Sequence, residues 1–256
     1  MHRRVAVIVL SSFLLSSCSA FQLTSHSYTP PEMPAGVMAA VPQVVNGRPD
    51  TFAVIVGLNT EEYHRGNISL AYQVMIELGL KRKDIFILDV ASELPYFPKT
   101  DTTSRASMDM LFTSLARIIE PHDELIVYMT GHGVLDEDGQ AALMLNPAER
   151  MPADEFIMHL DSIDVSAGLL FVDQCYWGPR HVPSGCNWTT ITTAREGQVT
   201  SAATFPRALW GALRAGLRPI RAAFDRAVRD DRGSTLGLNS PVLSAQTCGE
   251  PLSIMR

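Results

Sequence analysis

Short apolar runs alternate with amphipathic segments along this chain, and the alternation restricts its fold more than any other feature. The runs are rich in β-branched residues, as expected for strands buried on both faces of a sheet. Strands that alternate with helices favour a parallel sheet covered by helices on both sides. We therefore predict the α/β class, as a three-layer α/β/α sandwich with a mostly parallel central sheet. The predicted strands are 52–56, 85–90, 124–129, 168–172 and 188–193, and the predicted helices are 67–78, 103–119, 152–160 and 202–228, the last broken near Pro219.

Two segments precede the predicted domain, which spans residues 51–256. Residues 1–17 begin with Arg3 and Arg4 and continue as an apolar run, which is typical of a signal peptide and short for a permanent membrane span. Residues 18–50 are rich in Pro, Ser and Thr, a composition that predicts a flexible tether.

The end of the leader, Leu15-Ser16-Ser17-Cys18, resembles a bacterial lipobox. The resemblance implies cleavage before Cys18 and attachment of a lipid to its sulfur. Ser19 in the next position implies sorting to the outer membrane, so the protein would be lipid-anchored in the cell envelope and face the periplasm. Ordinary secretion, with cleavage among the small residues 17–20, is the alternative.

The charge and the residue spacing exclude several classes of function. The net charge of −6 argues against nucleic-acid binding, which needs a basic stripe. The basic cluster at 214–232 is interspersed with apolar residues and aspartates, and we interpret it as a solvated helix face. The sequence lacks Cys-x-x-Cys and His-Glu-x-x-His, so we expect no metal site and no cofactor. We expect a monomer.

The cysteines raise a separate question, because export places the chain in an oxidising compartment. Beside Cys18, the chain contains Cys175, Cys186 and Cys248. Of these three thiols, at most two can pair in one disulfide within the chain, and the remaining thiol can be reactive. A Cys186–Cys248 disulfide is one candidate pairing, and it requires the two Cα atoms to lie within bonding reach.

Candidate catalytic residues lie just past the carboxyl ends of three predicted strands: Asn59, His132 and Cys175. These ends meet at one edge of a parallel sheet, where functional groups collect. Because a cysteine attacks as a thiolate and an imidazole can take its proton, His132 and Cys175 predict a catalytic dyad. Gly133 permits close backbone approach, and its N–H could join that of Cys175 in an oxyanion hole. We interpret four other histidines as surface or core residues: His64, His122, His159 and His181.

Two motifs carry a family resemblance. Residues 127–133, Val-Tyr-Met-Thr-Gly-His-Gly, resemble the histidine strand of legumain-type cysteine peptidases. Residues 169–175, Leu-Leu-Phe-Val-Asp-Gln-Cys, resemble the cysteine strand of the same family. Weaker similarity to the family's first strand, substrate-binding arginine, first helix and post-nucleophile strand lies at 56–59, Arg65, 71–73 and 190–195. The resemblance covers about residues 50–215, and caspases and gingipain-like enzymes share the wider architecture.

The resemblance implies a caspase-like fold and a cysteine endopeptidase that forms a thioester acyl-enzyme with a peptide or protein substrate. Cys175 would be the nucleophile and His132 the general base, and Asn59 would orient the histidine. Each residue also has a plainer interpretation, since turn residues and buried cysteines are common at strand ends.

The same resemblance implies a primary specificity pocket that contains Arg65 and Asp173, with Thr193 and Ala194 in the strand after the nucleophile. One cation and one anion suit the oxygen and nitrogen of a carboxamide. The pocket therefore favours cleavage after Asn, or after a protonated Asp. The family has small residues soon after the nucleophile, whereas this chain has Tyr176-Trp177-Gly178, which predicts a crowded entrance.

Three other functions stay open at this point. An amine instead of water could resolve the thioester, which would make the protein a transpeptidase or ligase, and subunits of GPI transamidase resemble this family too. The chain could also be a catalytically silent binding or scaffold lipoprotein. A redox function is disfavoured by the missing Cys-x-x-Cys motif.

Overall fold

A computed structural model describes residues 49–90, 100–200 and 204–245. The strands are β1 (Thr51–Gly57), β2 (Ile85–Asp89), β3 (Thr100–Asp101), β4 (Glu124–Thr130), β5 (Gly133–Leu135), β6 (Ala141–Asn146), β7 (Glu149–Pro152), β8 (Ala167–Asp173), β9 (Trp188–Thr192) and β10 (Val242–Ala245). The helices are α1 (Glu62–Glu77), α2 (Arg105–Ile118), α3 (Ala153–Asp161), α4 (Thr204–Arg214), α5 (Ile220–Asp230) and α6 (Arg232–Thr235). The predicted signal peptide, Cys18 and Cys248 lie outside the described ranges, so lipidation and envelope location stay predictions.

Seven strands form the central sheet in the order β10-β9-β8-β4-β1-β2-β3. Six of them run parallel, and β10 pairs antiparallel with β9 at one edge. Helices flank the sheet, so the predicted α/β class and mostly parallel sheet are confirmed, and the arrangement is compatible with a three-layer sandwich. The carboxyl ends of the central strands are level, because Gly57 pairs with Thr130 and Thr130 pairs with Asp173.

Two hydrophobic cores fill the space on either side of the sheet. Along β1, Ala53 and Ile55 belong to one core, and Val54 and Val56 belong to the other. The first core also takes side chains from α1, α4 and α5, and the second takes them from α2 and α3. This two-sided burial explains why the central strands are continuously apolar rather than alternating.

Some elements differ from the sequence prediction. A separate antiparallel sheet, β5-β6-β7, begins directly after His132 and was not predicted. Helix α1 begins at Glu62, five residues before the predicted start at 67. The predicted break near Pro219 is confirmed, because α4 ends at Arg214 and α5 begins directly after the proline.

The basic cluster at 214–232 lies on surface helices, in agreement with its interpretation as a solvated helix face. Arg214 pairs with Glu77 of α1, and Arg226 pairs with Asp230 one turn further along α5, all four side chains being largely exposed. Exposed ion pairs of this kind contribute little to stability. Within the part of the chain that the structure describes, no helix is long and apolar enough to cross a bilayer.

Asp231 joins α4 to the C-terminal segment. Its buried carboxylate accepts hydrogen bonds from the Thr204 hydroxyl (2.6 Å), the Asn239 amide (3.0 Å) and the backbone N–H groups of Gly233 and Ser234 (3.1 and 2.8 Å). Burial by itself would raise the pKa of this carboxyl, but the hydrogen bonds from Ser234, Thr204 and Asn239 together lower it. The ionised form is therefore stabilised in the folded state.

Asp231→Ala is expected to lower the free energy of unfolding by about 2–4 kcal/mol at pH 7, because it leaves several buried donors unsatisfied. A carboxyl with a lowered pKa contributes stability above its unfolded-state pKa and loses it as the pH falls, so the difference from wild type should shrink below about pH 4. Urea unfolding at pH 7 and pH 3.5 measures both effects. Asp230→Ala, at the exposed neighbour, is the control and should change little.

Candidate functional site

The predicted dyad residues leave adjacent strands at the same level of the sheet. Thr130 and Asp173 are paired, and His132 and Cys175 each lie two residues further along. The backbone N–H of Gly131 donates to the Asp173 carbonyl at 3.1 Å, which extends the pairing beyond the last ladder position. The structure therefore brings the His132 and Cys175 segments together at the carboxyl edge, as the strand pattern predicted.

Gly133 lies directly against the nucleophile candidate. A Cβ added to it would lie 2.0 Å from the Cys175 carbonyl oxygen and 3.2 Å from the Cys175 nitrogen. Both are backbone atoms, which cannot move aside as a flexible side chain does. This position therefore requires glycine for close approach, in agreement with the prediction for Gly133.

Cys175 carries a free thiol, and the residue is 7% exposed. The backbone N–H of Thr200 points to the sulfur at 3.5 Å, and the Thr200 hydroxyl lies 3.8 Å from it. The Thr200 carbonyl oxygen lies 4.0 Å from the sulfur, so Thr200 lines one side of the Cys175 thiol. Thr200 was not identified from the sequence, because it reaches the nucleophile only through the return of the chain after β9.

Trp177, one of the two bulky residues that follow Cys175, does not crowd the candidate site. The Trp177 side chain is fully buried in the core, packed against Phe156 and His181, and its indole N–H donates to the His181 carbonyl at 3.1 Å. The prediction that this bulky side chain narrows the entrance is therefore wrong. Tyr176 turns the chain with φ 65° and donates its N–H to the Gln198 carbonyl at 2.7 Å.

The side chain of His132 is 22% exposed and lies close to two groups from the start of α1. Its Nε2 is 3.8 Å from Oε1 of Glu61. Its ring centroid is 6.0 Å from that of His64, in an edge-on arrangement. The phenol of Tyr63 donates a short hydrogen bond to the other oxygen of Glu61.

Asn59, the predicted orienting residue, precedes this group. Its side-chain oxygen accepts the backbone N–H of Glu61 at 2.8 Å, which fixes the turn into α1. The charged group that the structure places beside His132 is the Glu61 carboxylate. The hydrogen bond of Asn59 is therefore made to the residue whose carboxylate lies beside His132, and the role of Asn59 in orienting the histidine stays a prediction.

A buried hydrogen-bond chain lies beneath the dyad. Nδ1 of His64 is 2.6 Å from the Thr130 hydroxyl, which donates to Oδ2 of Asp173 at 2.7 Å. When Asp173 is ionised and accepts the Thr130 proton, His64 donates from Nδ1 to the hydroxyl oxygen and keeps its lone pair on Nε2. Burial lowers the pKa of His64 to about 4, helped by the neighbouring His132 and opposed by Glu61. His64 is therefore neutral at physiological pH and is part of the site, not simply a core residue.

Asp173 is the buried end of this chain. Burial is the largest effect and raises its pKa to about 7, although hydrogen bonds from Thr130 and Thr193 oppose the shift. Near pH 7 the carboxyl therefore exists in both protonation states.

Asp173→Asn is expected to stabilise the protein at pH 8. The pKa of this carboxyl rises on folding from 3.8 to about 7, so its contribution to stability is complete below the unfolded pKa and is lost as the pH rises to the folded pKa. The change should raise the free energy of unfolding by roughly 2–4 kcal/mol at pH 8 and have little such effect at pH 4. Urea unfolding from pH 4 to pH 8 measures this, and identical pH dependence in both proteins would contradict it.

The other predicted pocket residues lie on α1 and directly after β9. Arg65 is half-buried on α1, one residue after His64, through which the hydrogen-bond chain to Asp173 runs. Thr193 donates its N–H to the Val172 carbonyl at 3.1 Å and so continues β9 beside Asp173. Ala194 is fully buried, and its carbonyl accepts a hydrogen bond from the Thr192 hydroxyl at 2.8 Å.

Cys186 is disulfide-bonded, whereas Cys175 is free. This agrees with the predicted involvement of Cys186 in a disulfide, and its predicted partner Cys248 lies outside the described residues. Cys175, at the candidate site, is therefore the cysteine outside this disulfide.

One side-chain group has the composition of a metal site. Asp109, Glu155 and His159 bring potential ligand atoms within 4.8 Å of one another between α2 and α3. Arg105 forms an ion pair with Glu155, and His159 pairs with Asp109 at 3.0 Å. Both carboxylates already have partners, and the group belongs to neither the dyad nor the Asp173 pocket.

The chain matches no protein-family model, and no curated protein is significantly similar to it. The resemblance to legumain-type peptidases therefore rests on the motifs of this sequence alone. Function must be inferred from the chemistry of the site.

Proposed function

We propose that the protein is a cysteine peptidase with a caspase-like fold, in which Cys175 is the nucleophile and His132 the general base. One observation carries the proposal. A free thiol and an imidazole follow adjacent parallel strands at the same level, and the glycine after the imidazole lies against the backbone of the cysteine. A purely structural cysteine would not need an imidazole at the end of the adjacent strand.

The residues can perform acyl transfer in two steps. His132 takes the proton of Cys175, and the thiolate attacks the carbonyl carbon of the scissile bond. The N–H groups of Gly133 and Cys175 are the candidate donors to the oxyanion that develops. The amine leaves with the proton from His132 and a thioester remains. His132 then deprotonates a water molecule, which attacks the thioester and restores the thiol.

The buried hydrogen-bond chain supports a preference for an uncharged polar P1 side chain. Neutral His64 presents a lone pair at Nε2, which accepts a hydrogen bond. Asp173, with its pKa raised to about 7, can accept as a carboxylate or donate as an acid. A carboxamide has both a donor and an acceptor, so Asn fits this pocket, and Asp fits when protonated.

A fluorogenic peptide library that varies P1, tested on the purified full-length chain, examines the proposal. Cleavage by wild type and none by Cys175→Ala would support it, and a preference for Asn would support the pocket. An added amine acceptor distinguishes the peptidase from a transpeptidase, because ligated product would form instead of acid. Cleavage at the same rate by Cys175→Ala would contradict the proposal. Absence of both products with folded protein would favour a binding or scaffold function.

A further inference from the structure

We infer that Glu61 is the positioning residue of His132, holding the ring with its proton on Nε2 so that Nδ1 is left to accept the proton of Cys175. The inference rests on the proposed function and adds a residue that the sequence did not identify. Three observations carry it: the approach of Glu61 to one ring nitrogen, the fixation of Glu61, and the nature of the other groups around the ring.

The carboxylate of Glu61 approaches one particular nitrogen of the ring. Its Oε1 lies 3.8 Å from Nε2 of His132. An ionised carboxylate only accepts hydrogen bonds, so a carboxylate beside Nε2 favours the tautomer with the proton on that nitrogen. The remaining lone pair is then on Nδ1.

Glu61 is itself held at three points. Its backbone N–H donates to Asn59, and its backbone carbonyl accepts the first helical hydrogen bond of α1, from Arg65 at 3.1 Å. Its other carboxylate oxygen accepts the phenol proton of Tyr63. Burial and the bond to Glu61 raise the pKa of Tyr63 above its usual range, so the phenol stays a donor at any physiological pH. The two backbone bonds fix where the Glu61 side chain leaves the chain, and the phenol holds one of its carboxylate oxygens.

The other ionisable groups near the ring do not compete for this task. From α1, His64 is neutral and its Nδ1 is bonded to Thr130. From the end of β8, Asp173 is bonded to the same hydroxyl, and Cys175 is the reacting group. Among the described residues, Glu61 is the acidic group within ion-pair distance of His132.

Glu61→Gln tests the inference, because the substitution keeps the shape and changes the hydrogen-bonding pattern. The Tyr63 phenol would hold the amide oxygen, which turns the amide NH₂ toward Nε2 of His132. Nε2 would then accept, and the ring would carry its proton on Nδ1, the tautomer that cannot accept from the thiol. Glu62→Gln is the matched control, since it removes the same charge from the exposed adjacent residue.

Two measurements on the full-length chain give the result. Long-range ¹H–¹⁵N spectra of ¹⁵N-histidine-labelled protein at alkaline pH report the tautomer of His132, whose signals are assigned by their loss in His132→Ala. We expect the Nε2–H form in wild type and in Glu62→Gln, and the Nδ1–H form in Glu61→Gln. Peptide cleavage by Glu61→Gln should fall by about 10²–10⁴-fold in kcat, with KM changed little.

Two outcomes would overturn the inference: an Nδ1–H ring in wild type, or an Nε2–H ring in Glu61→Gln with kcat within about twofold of Glu62→Gln. The tautomer is measured without any substrate. If no peptide is cleaved, the proposed function fails. The spectra still show whether Glu61 sets the tautomer of His132.

Discussion

His132→Ala is expected to reduce peptide cleavage by about 10³-fold or more while the protein stays folded. The ring is 22% exposed and polar, so its loss should cost less stability than the loss of a fully buried apolar side chain. Without it, the Cys175 proton has no acceptor of suitable basicity, and the leaving amine has no proton donor. Initial rates with the best library peptide and thermal unfolding of the variant measure the two effects.

His64→Ala is the informative control, because the two rings lie only 6.0 Å apart. His64 donates from Nδ1 to Thr130, and its pKa is lowered to about 4, so it is a weak base. We expect its loss to change the P1 preference and KM more than kcat. A larger fall in kcat for His64→Ala than for His132→Ala would show that the base has been assigned to the wrong histidine.

Gly133→Ala is expected to reduce cleavage by about 10²-fold or more and to destabilise the fold by roughly 1–3 kcal/mol. The new methyl group would lie 2.0 Å from the Cys175 carbonyl oxygen, so the ends of β4 and β8 must separate. This separation displaces the nucleophile from His132 and from the N–H groups that would hold the oxyanion. Steady-state rates and urea unfolding give both quantities.

Gly211→Ala is the matched control for that substitution. Gly211 lies in α4, and a Cβ there would meet no atom within 4 Å. Because alanine favours a helix over glycine by about 1 kcal/mol, this variant should be slightly more stable and fully active. Unchanged activity in Gly133→Ala would contradict the close approach on which the proposed site depends.

Much of the fold could be predicted because the sheet is buried on both faces. Continuous apolar runs such as 124–129 and 168–172 leave little choice of structure, and the predicted strands agree with β4 and β8 within a residue at each end. The rule that functional groups collect at the carboxyl ends then selected His132 and Cys175. The sheet β5-β6-β7, whose strands pair only with one another, was not predicted, although β6 contains the apolar run 141–145.

The surroundings of the dyad could not be predicted as well. Residues 61–64 are polar and aromatic, without apolar helical spacing, so the first turn of α1 was interpreted as loop. Glu61 is the residue just before α1, and His64 lies in its first turn. The directions in which the two side chains point depend on the residue at which the helix begins. His64 also depends on a partner far away in the sequence, Thr130, which no local pattern reveals.

Covalent labelling of the full-length chain tests the central claim most directly. The probe is a short peptide that ends in Asn and carries a thiol-reactive electrophile at the scissile position, and intact mass followed by peptide mapping locates the label. We predict one label per chain, on Cys175, with a rate that falls at least 10²-fold in His132→Ala. Labelling elsewhere, or labelling of Cys175 at the same rate in wild type and His132→Ala, would contradict the assignment of this pair as the catalytic dyad.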